Sequence, residues 1–425
     1  MTWIPAGGLV KVHGTSVAET LCCGDMSIYV NAYSTVRADV PFNGPGEPAI
    51  ASRALCFEET ERPFLKTTAN GASEDDDQQT RELLEHLEGF EGYAAEQGQQ
   101  RFGSFNSYIH AVMQHIHNVR RHYVFERKDD FDFSHLGDFA DWAREANAVF
   151  FLSDGTVRNA GGADLLDPAL VGSSSSTGAQ ENSVPRHPDS AERMRRVRSG
   201  LWQQGFQVAP TLPPVRSEGE LLIRPAEEVF NRAVTLAVVA TVAANVLNGE
   251  PVDFASLRAG SRRSFEHLTP VEQAFLDRAE TAQAGADGNL AYSQDLQEDA
   301  YQLAWAYTAA EFLAWSVGLL DIDVFGFNPV DLPALRGALR AVDREGRDAS
   351  ELNLRSLSEL CDASEYVYSL RWVSVEQQTQ APTGSMSTGP SVLQPQDHST
   401  LVERHRAIAW LTDPAIAYDD VDLST

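Results

Sequence analysis

A chain of 425 residues is longer than one ordinary core organises, so two or three domains are expected, and 43% hydrophobic with 22% charged residues is the composition of a soluble globular protein. Its 61 acidic against 33 basic residues leave a net charge of −28. That charge repels phosphate backbones and anionic lipid surfaces before contact, so neither nucleic acid nor a membrane is expected as a partner.

The amino terminus "MTWIPAGGLVKVHG" lacks a charged segment followed by an apolar one, so no signal peptide and a cytoplasmic location are expected. Within it, "GLVKVHG" alternates apolar and polar residues as a half-buried strand does, and so does "MSIYVNAYSTV"; "ASRALCFEET" is a third strand. The polar run "NGASEDDDQQT" reads as a surface loop leading into a helix. Helical segments follow: "RELLEHLEGFEGYAAE", then "SYIHAVMQHIHNVRRHYVFER" as one unit, then "GDFADWAREAN". "AVFFLSDGTVRNAGGADLLDP" is a strand pair turning at Asp154-Gly155. Residues 1–170 are therefore an α+β domain. Four cysteines, Cys22 and Cys23 adjacent, make no metal-ligand spacing and no disulfide framework, so they are expected reduced and mostly buried.

Serine, glycine and proline replace any apolar period over 171–190, "VGSSSSTGAQENSVPRHPDS", the expected linker. Residues 191–425 then read as an all-α domain of about seven helices, with almost no strand signal and no repeat of fixed period. "AERMRRVRSGLWQQGF" comes first. The apolar run "AVTLAVVATVAANVL" is shorter than the roughly 20 residues of a bilayer span and is punctuated by Pro225 before it and Gly249 after it, so it is a buried core helix. "LTPVEQAFLDRAE" opens with a capping box, Thr269 at the cap and Glu272 three residues on. "LQEDAYQLAWAYTAAEFLAWSVGLL", "DLPALRGALRAVDREG", "RSLSELCDASEYVYSLRWVSVEQ" and "STLVERHRAIAWL" complete the set.

The last of these raises the main question about function. At 100° per residue its apolar side chains face nearly every direction, yet Arg404, His405 and Arg406 stand together in it. A buried guanidinium needs partners, and the nearest acidic run is "YDDVDLST" with Asp419, Asp420 and Asp422. Two readings stand open: Arg404 and Arg406 pair with that tail or with acids of neighbouring helices and lock the carboxy-terminal end down, or they flank a titratable histidine and hold a phosphate or carboxylate. In "RSLSELCDASEYVYSLRW", Glu359, Asp362 and Glu365 lie at i, i+3 and i+6 with Arg371 beyond. They form a polar face, some of it expected to meet Arg404 or Arg406; carboxylates so spaced can share a metal, but the Glu-x-x-His pairing of di-iron bundles is missing. His115 and His117 on one helix diverge by about 200°, so the histidines at 110, 115, 117 and 122 are not expected to chelate, and no metal is expected. "RMRRVRS" is the basic concentration of an acidic chain; its arginines are expected to pair with acids of the same chain.

Nucleotide-binding loops, nucleophile elbows and zinc-hydrolase motifs are all missing, and no cofactor is implied. Taken together and in order, "LTPVEQAFLD", "LAWAYTAAEFLAWSVGLL", "LSELCDASEYVYSLRW" and the closing "ERHRAIAWL" with "YDDVDLST" resemble the bacterial family called domain of unknown function 4272, over about 191–425, with the first domain similar to the amino-terminal region of its longer members. Where that family often carries a charge three positions after Trp305, this chain has Thr308. The resemblance implies the architecture and no activity.

The expectation is thus a binding module working through protein contacts, its acidity suited to a basic protein partner. The other reading is an enzyme or sensor for a small anion, with Arg404 and Arg406 holding it, His405 as acid or base, and Asp362 or Asp420 orienting the histidine. The sequence gives no oligomeric state.

Overall fold

The computed structural model describes residues 27–57, 65–69, 77–128, 131–170, 183–209, 212–284, 291–344, 348–380, 392–414 and 416–423. The strand expected at 8–14, Cys22, Cys23, residues 70–76 and most of the 171–190 segment lie outside them.

Six strands, β1 (Ile28–Ser34), β2 (Ala51–Phe57), β3 (Leu65–Ala69), β4 (Arg121–Arg127), β5 (Ala148–Phe151) and β6 (Val157–Arg158), form one antiparallel sheet in the order β3-β2-β4-β1-β5-β6. Helices α1 (Asp77–Phe102) and α2 (Ser107–His117) cover one face, and α3 (Ala140–Glu145) with the 3-10 turn Phe133–Phe139 covers the other. The strand period of two assigns the layers. Val30 and Ala32, in register with Phe125 and Tyr123, pack on Phe139 and Trp142, while Tyr33 and Val149 face Leu83, Leu87 and Phe90 of α1 and Ile116 of α2.

The helix expected to run on from α2 ends at His117, and "RHYVFER" is β4 instead. Asn118 closes the helix with its backbone N–H on Gln114 and His115, and Tyr123 and Phe125 then alternate into the sheet core. Only β4 can bridge β1 and β2, so tertiary pairing decides a segment whose local pattern was ambiguous. The hairpin at Asp154-Gly155 forms as expected, with Gly155 at φ +79°. Close packing of α1 on α2 depends on Gly98, where an added Cβ would stand 2.6 Å from Ile109 Cγ1. Gly98→Val is expected to destabilise by about 2 kcal/mol through overpacking, read as a lower denaturant midpoint; an unchanged midpoint would mean that the two helices part freely.

Beyond the sheet come α4 (Pro188–Gln203), α5 (Ala226–Asn248), α6 (Phe254–Gly260), α7 (Arg262–Glu266), α8 (Pro270–Ala284), α9 (Gln294–Leu303), α10 (Ala306–Ser316), α11 (Leu332–Arg344), α12 (Leu357–Gln380) and α13 (Pro395–Leu411), with no strand among the described residues. The protein is a mainly helical α+β fold. Helix α4 starts at Pro188, inside the expected linker, because His187 caps it through the N–H of Asp189. The expected single helix around Trp305 is two: tight turns from Trp305 to Gln302 and from Thr308 to Trp305 separate amphipathic α9 from α10, all of whose residues are buried.

Helix α5 is long and apolar enough to cross a membrane, but 78% of its most apolar window is buried inside the molecule, which makes it the axis of the helical core. Its ends are those expected, Pro225 at the cap and Gly249 left-handed at φ 67°. Phe230 and Leu236 pack there with Phe312, Leu313 and Trp315 of α10, Val367 of α12 and Ile408 of α13. The capping box of α8 is present, Thr269 N–H on Glu272 Oε2 at 2.9 Å and Glu272 N–H on Thr269 Oγ1 at 3.2 Å.

Sheet and helices meet at buried Glu220. Thr35 donates to it, Asn147 Nδ2 donates at 3.1 Å and the N–H of Ser217 at 2.6 Å. Burial raises the carboxyl's pKa, but these hydrogen bonds outweigh it and hold Glu220 below the usual range. Asn147 reaches it by adopting φ 45°, the left-handed region that an asparagine tolerates better than most residues.

Candidate functional site

Helix α13 carries the Arg-His-Arg run into the core, where Arg404 is 2% and His405 8% exposed. Arg404 Nη1 donates to the carbonyls of Val324 (3.0 Å) and Gly326 (2.6 Å), and between these the carbonyl of Phe325 accepts from Tyr366 of α12. Three successive carbonyls of the loop before α11 are thus pinned by α12 and α13. The carboxylate that acts most strongly on Arg404 is Glu311 of α10, which accepts the N–H of Asp331 at 3.3 Å; burial pushes its pKa up, against the pull of that hydrogen bond and Arg404. Burial likewise lowers the pKa of Arg404.

Arg406 turns elsewhere, onto Glu403 at 2.9 Å, and the pair faces the buried ring of Tyr418. The two guanidinium groups therefore serve different neighbours and do not converge on one anion. His405 stands against Tyr368, ring centroids 6.1 Å apart, and desolvation aided by Arg371 takes its pKa down to about 4. Arg371 itself is half-buried, its pKa lowered by desolvation, and its Nε has no hydrogen-bond partner.

Most of the acids expected to partner this run go elsewhere. Asp419 and Asp420 are exposed, Asp422 stays in the electrostatic field of His405, and it is Tyr418 that the tail inserts. Asp362 receives Arg196 twice (2.8 and 2.6 Å) and Arg193 Nε at 3.2 Å; Glu365 receives Arg198 Nε at 2.9 Å. Arg193, Arg196 and Arg198 of "RMRRVRS" therefore answer the acids of α12, as expected of pairing within the chain, while Arg195 is exposed. Glu359 caps its own helix through Ser356 and meets Arg355 at 3.2 Å, so the i, i+3, i+6 carboxylates share no ion. Among the described residues no group of three His, Cys, Asp or Glu side chains is placed to hold a metal.

Two residues that the sequence reading missed do what was expected of the run. Arg224 donates to the carbonyls of Trp410 (2.8 Å), Asp413 (3.2 Å) and Ile416 (2.5 Å) and lies over the Trp410 ring, which fastens the carboxy-terminal segment. Glu311, the other, is the one charge in apolar "AYTAAEFLAWS", and that isolation was a legible signal. Arg224, before a proline, gave none.

His115, on α2, and His405 are both buried, and desolvation takes each from the usual 6.5 to about 4. Between those values the unfolded chain binds protons that the folded chain does not, so this stability is complete above about pH 6.5 and is lost as the pH falls towards 4. Glu311 and Glu403, raised by burial, act in the opposite sense: their share is present below the unfolded value and is lost as the pH rises through the raised one. The comparison is therefore best made between wild type and His405→Gln. Wild type is expected to lose about 2 kcal/mol more than the variant between pH 7 and pH 5 in urea unfolding, and equal losses would show that His405 is not held neutral by burial.

A cleft of about 990 Å³ lies along α5, and one of about 190 Å³ between α4 and α12; none of Arg404, His405 and Arg406 lines either. Residues 193–421, more than half of the chain, match the family described as Domain of unknown function (DUF4272), and the chain belongs to that family. No curated protein and no solved structure matches it.

Proposed function

We propose that the protein is a non-catalytic binding module whose acidic exterior recognises a basic protein partner. The observation that carries this reading is the direction in which its arginines point. Arg193, Arg198, Arg224, Arg232 and Arg404 are buried or nearly so on carboxylates and carbonyls of their own chain. The acidic excess is left outside: Glu85, Glu88 and Glu96 are exposed along α1, and Asp277, Asp295 and Glu298 on α8 and α9. Such a surface accelerates association with a cationic protein and rejects acidic ones. The Arg-His-Arg run does not form an acid–base site, since His405 is buried and held neutral and its two arginines serve different neighbours.

The test is capture with the full chain tagged at either end, at low salt, followed by association kinetics with the purified partner. A basic partner is expected, with an association rate that falls steeply with ionic strength and falls again for Glu85→Lys/Glu88→Lys. Recovery of no reproducible partner, or of one indifferent to salt, contradicts the reading.

A further inference from the structure

The polar residues where α12 packs on α13 form a line. Tyr368 of α12 stands against His405 of α13, and Ser374 Oγ shares a hydrogen bond of 2.5 Å with His398 Nδ1. A step forward along α12 is thus a step back along α13, so the two helices run antiparallel. Arg371 lies midway between Tyr368 and Ser374, about 4.5 Å along the helix axis from each. It therefore stands between the two histidines; burial lowers the pKa of both rings, and the charge of Arg371 lowers them further. Buried Leu370 and Val373 of α12 and Leu401 of α13 close the seam beneath.

What Arg371 lacks is an answering charge. The guanidinium is half-buried in a chain of net charge −28, yet it makes no ion pair and no hydrogen bond among the described residues, and its Nε is buried without a partner. Desolvation lowers its pKa and no neighbouring carboxylate pulls it back. The arginines of α4 differ, since Arg193, Arg196 and Arg198 each meet an acid of α12. The acids near the seam serve other groups: Asp397 accepts the N–H of Gln394 at 2.8 Å and acts on His398, while Asp422 acts on His405. A desolvated cation without a partner costs free energy, and an anion bound at the seam removes that cost. His398 stands ready as a second donor. With Ser374 donating to Nδ1, the proton of the neutral ring is on Nε2, for which the described residues provide no acceptor.

We propose that the seam between α12 and α13 binds the phosphate or carboxylate group of a small molecule, held by the Arg371 guanidinium and the His398 imidazole. A guanidinium matches the paired oxygens of either group. The neighbouring run Arg404, His405 and Arg406 keeps its internal role. The site is separate from the acidic exterior, so it stands or falls independently of the protein partner.

Thermal unfolding of the full chain against inorganic phosphate, glucose 6-phosphate and succinate tests it, in wild type, Arg371→Gln and His398→Asn. No group of the fold relies on Arg371, so Arg371→Gln is expected to melt no lower than wild type when no anion is added. His398→Asn keeps an acceptor for Ser374 and removes the Nε2 donor. Phosphate also raises the midpoint of proteins in general by exclusion from their surface, so the reading is the difference between wild type and variant. The expected result is a saturable rise with at least one probe, shifted to about tenfold or more higher concentration in Arg371→Gln and in the same direction in His398→Asn. The phosphorylated probes against succinate tell which anion the site prefers. Three results overturn the proposal: equal rises in wild type and Arg371→Gln, no saturable rise with any probe, or an Arg371→Gln variant that melts well below wild type without anion, which would make the side chain part of the fold.

Discussion

Arg404→Ala is expected to destabilise the protein by about 3 kcal/mol, measured as the free energy of unfolding in urea at neutral pH. The side chain is 2% exposed and is the shared support of two carbonyls, those of Val324 and Gly326. Its removal leaves both without that donor, opens a cavity between α10, α12 and α13, and strips the buried carboxyl of Glu311 of the one cation that offsets its desolvation. Both bonds come from Nη1 alone, so Arg404→Lys, which keeps the charge and several donors but on a shorter side chain, recovers only part of the loss. A loss below about 0.5 kcal/mol, the ordinary effect of a surface change, would show that the loop is held by Tyr366 alone.

Glu365→Ala is expected to cost about 3–5 kcal/mol, the range for a buried ion pair deprived of one member. Glu365 is fully buried and has three partners on three pieces of the chain: Arg198 Nε at 2.9 Å, the N–H of Val215 at 2.9 Å and Ser369 Oγ at 3.0 Å. It therefore ties α4 and the segment after it onto α12. Arg198 would keep its bonds to the carbonyls of Leu212 (2.8 Å) and Pro213 (3.0 Å) but lose its counter-charge. Glu365→Gln keeps the shape and an acceptor and should cost visibly less. Equal costs would mean that the charge alone accounts for the loss, and a Gln variant as stable as wild type would mean that charge at this position contributes nothing.

The helical half was legible where punctuation and periodicity agree. Pro225 and Gly249 bound α5, and Thr269 with Glu272 starts α8, because caps satisfy backbone groups locally and need no knowledge of the fold. Failures came where a distant partner decides. "RHYVFER" follows a helix without a proline or glycine, and only its neighbours β1 and β2 make it a strand. Tight turns around Trp305 divide α9 from α10 without any marker residue.

The polar core was half legible. Burial of Arg404 and His405 follows from apolar residues on every side of α13, and pairing of the arginines of α4 within the chain follows from the acidity of the rest. Which acid meets which arginine does not. The acids of α12 look equally suited to Arg404 and to Arg196, and it is the packing of α4 against α12 that awards Asp362 to the latter. Backbone carbonyls, the partners Arg404 takes, have no signature in a sequence, and neither does the reach of Arg224 to the end of α13.

Arg404, His405 and Arg406 serve internal support and not a ligand. Thermal unfolding of wild type and Arg404→Ala/Arg406→Ala against nucleotides, sugar phosphates and carboxylates tests it most directly. The variant is expected to melt well below wild type, with any stabilisation by anions retained at the same ligand concentration. An anion that raises the midpoint of wild type and leaves that of a still-folded variant unmoved would contradict it, and would place the binding site on α13.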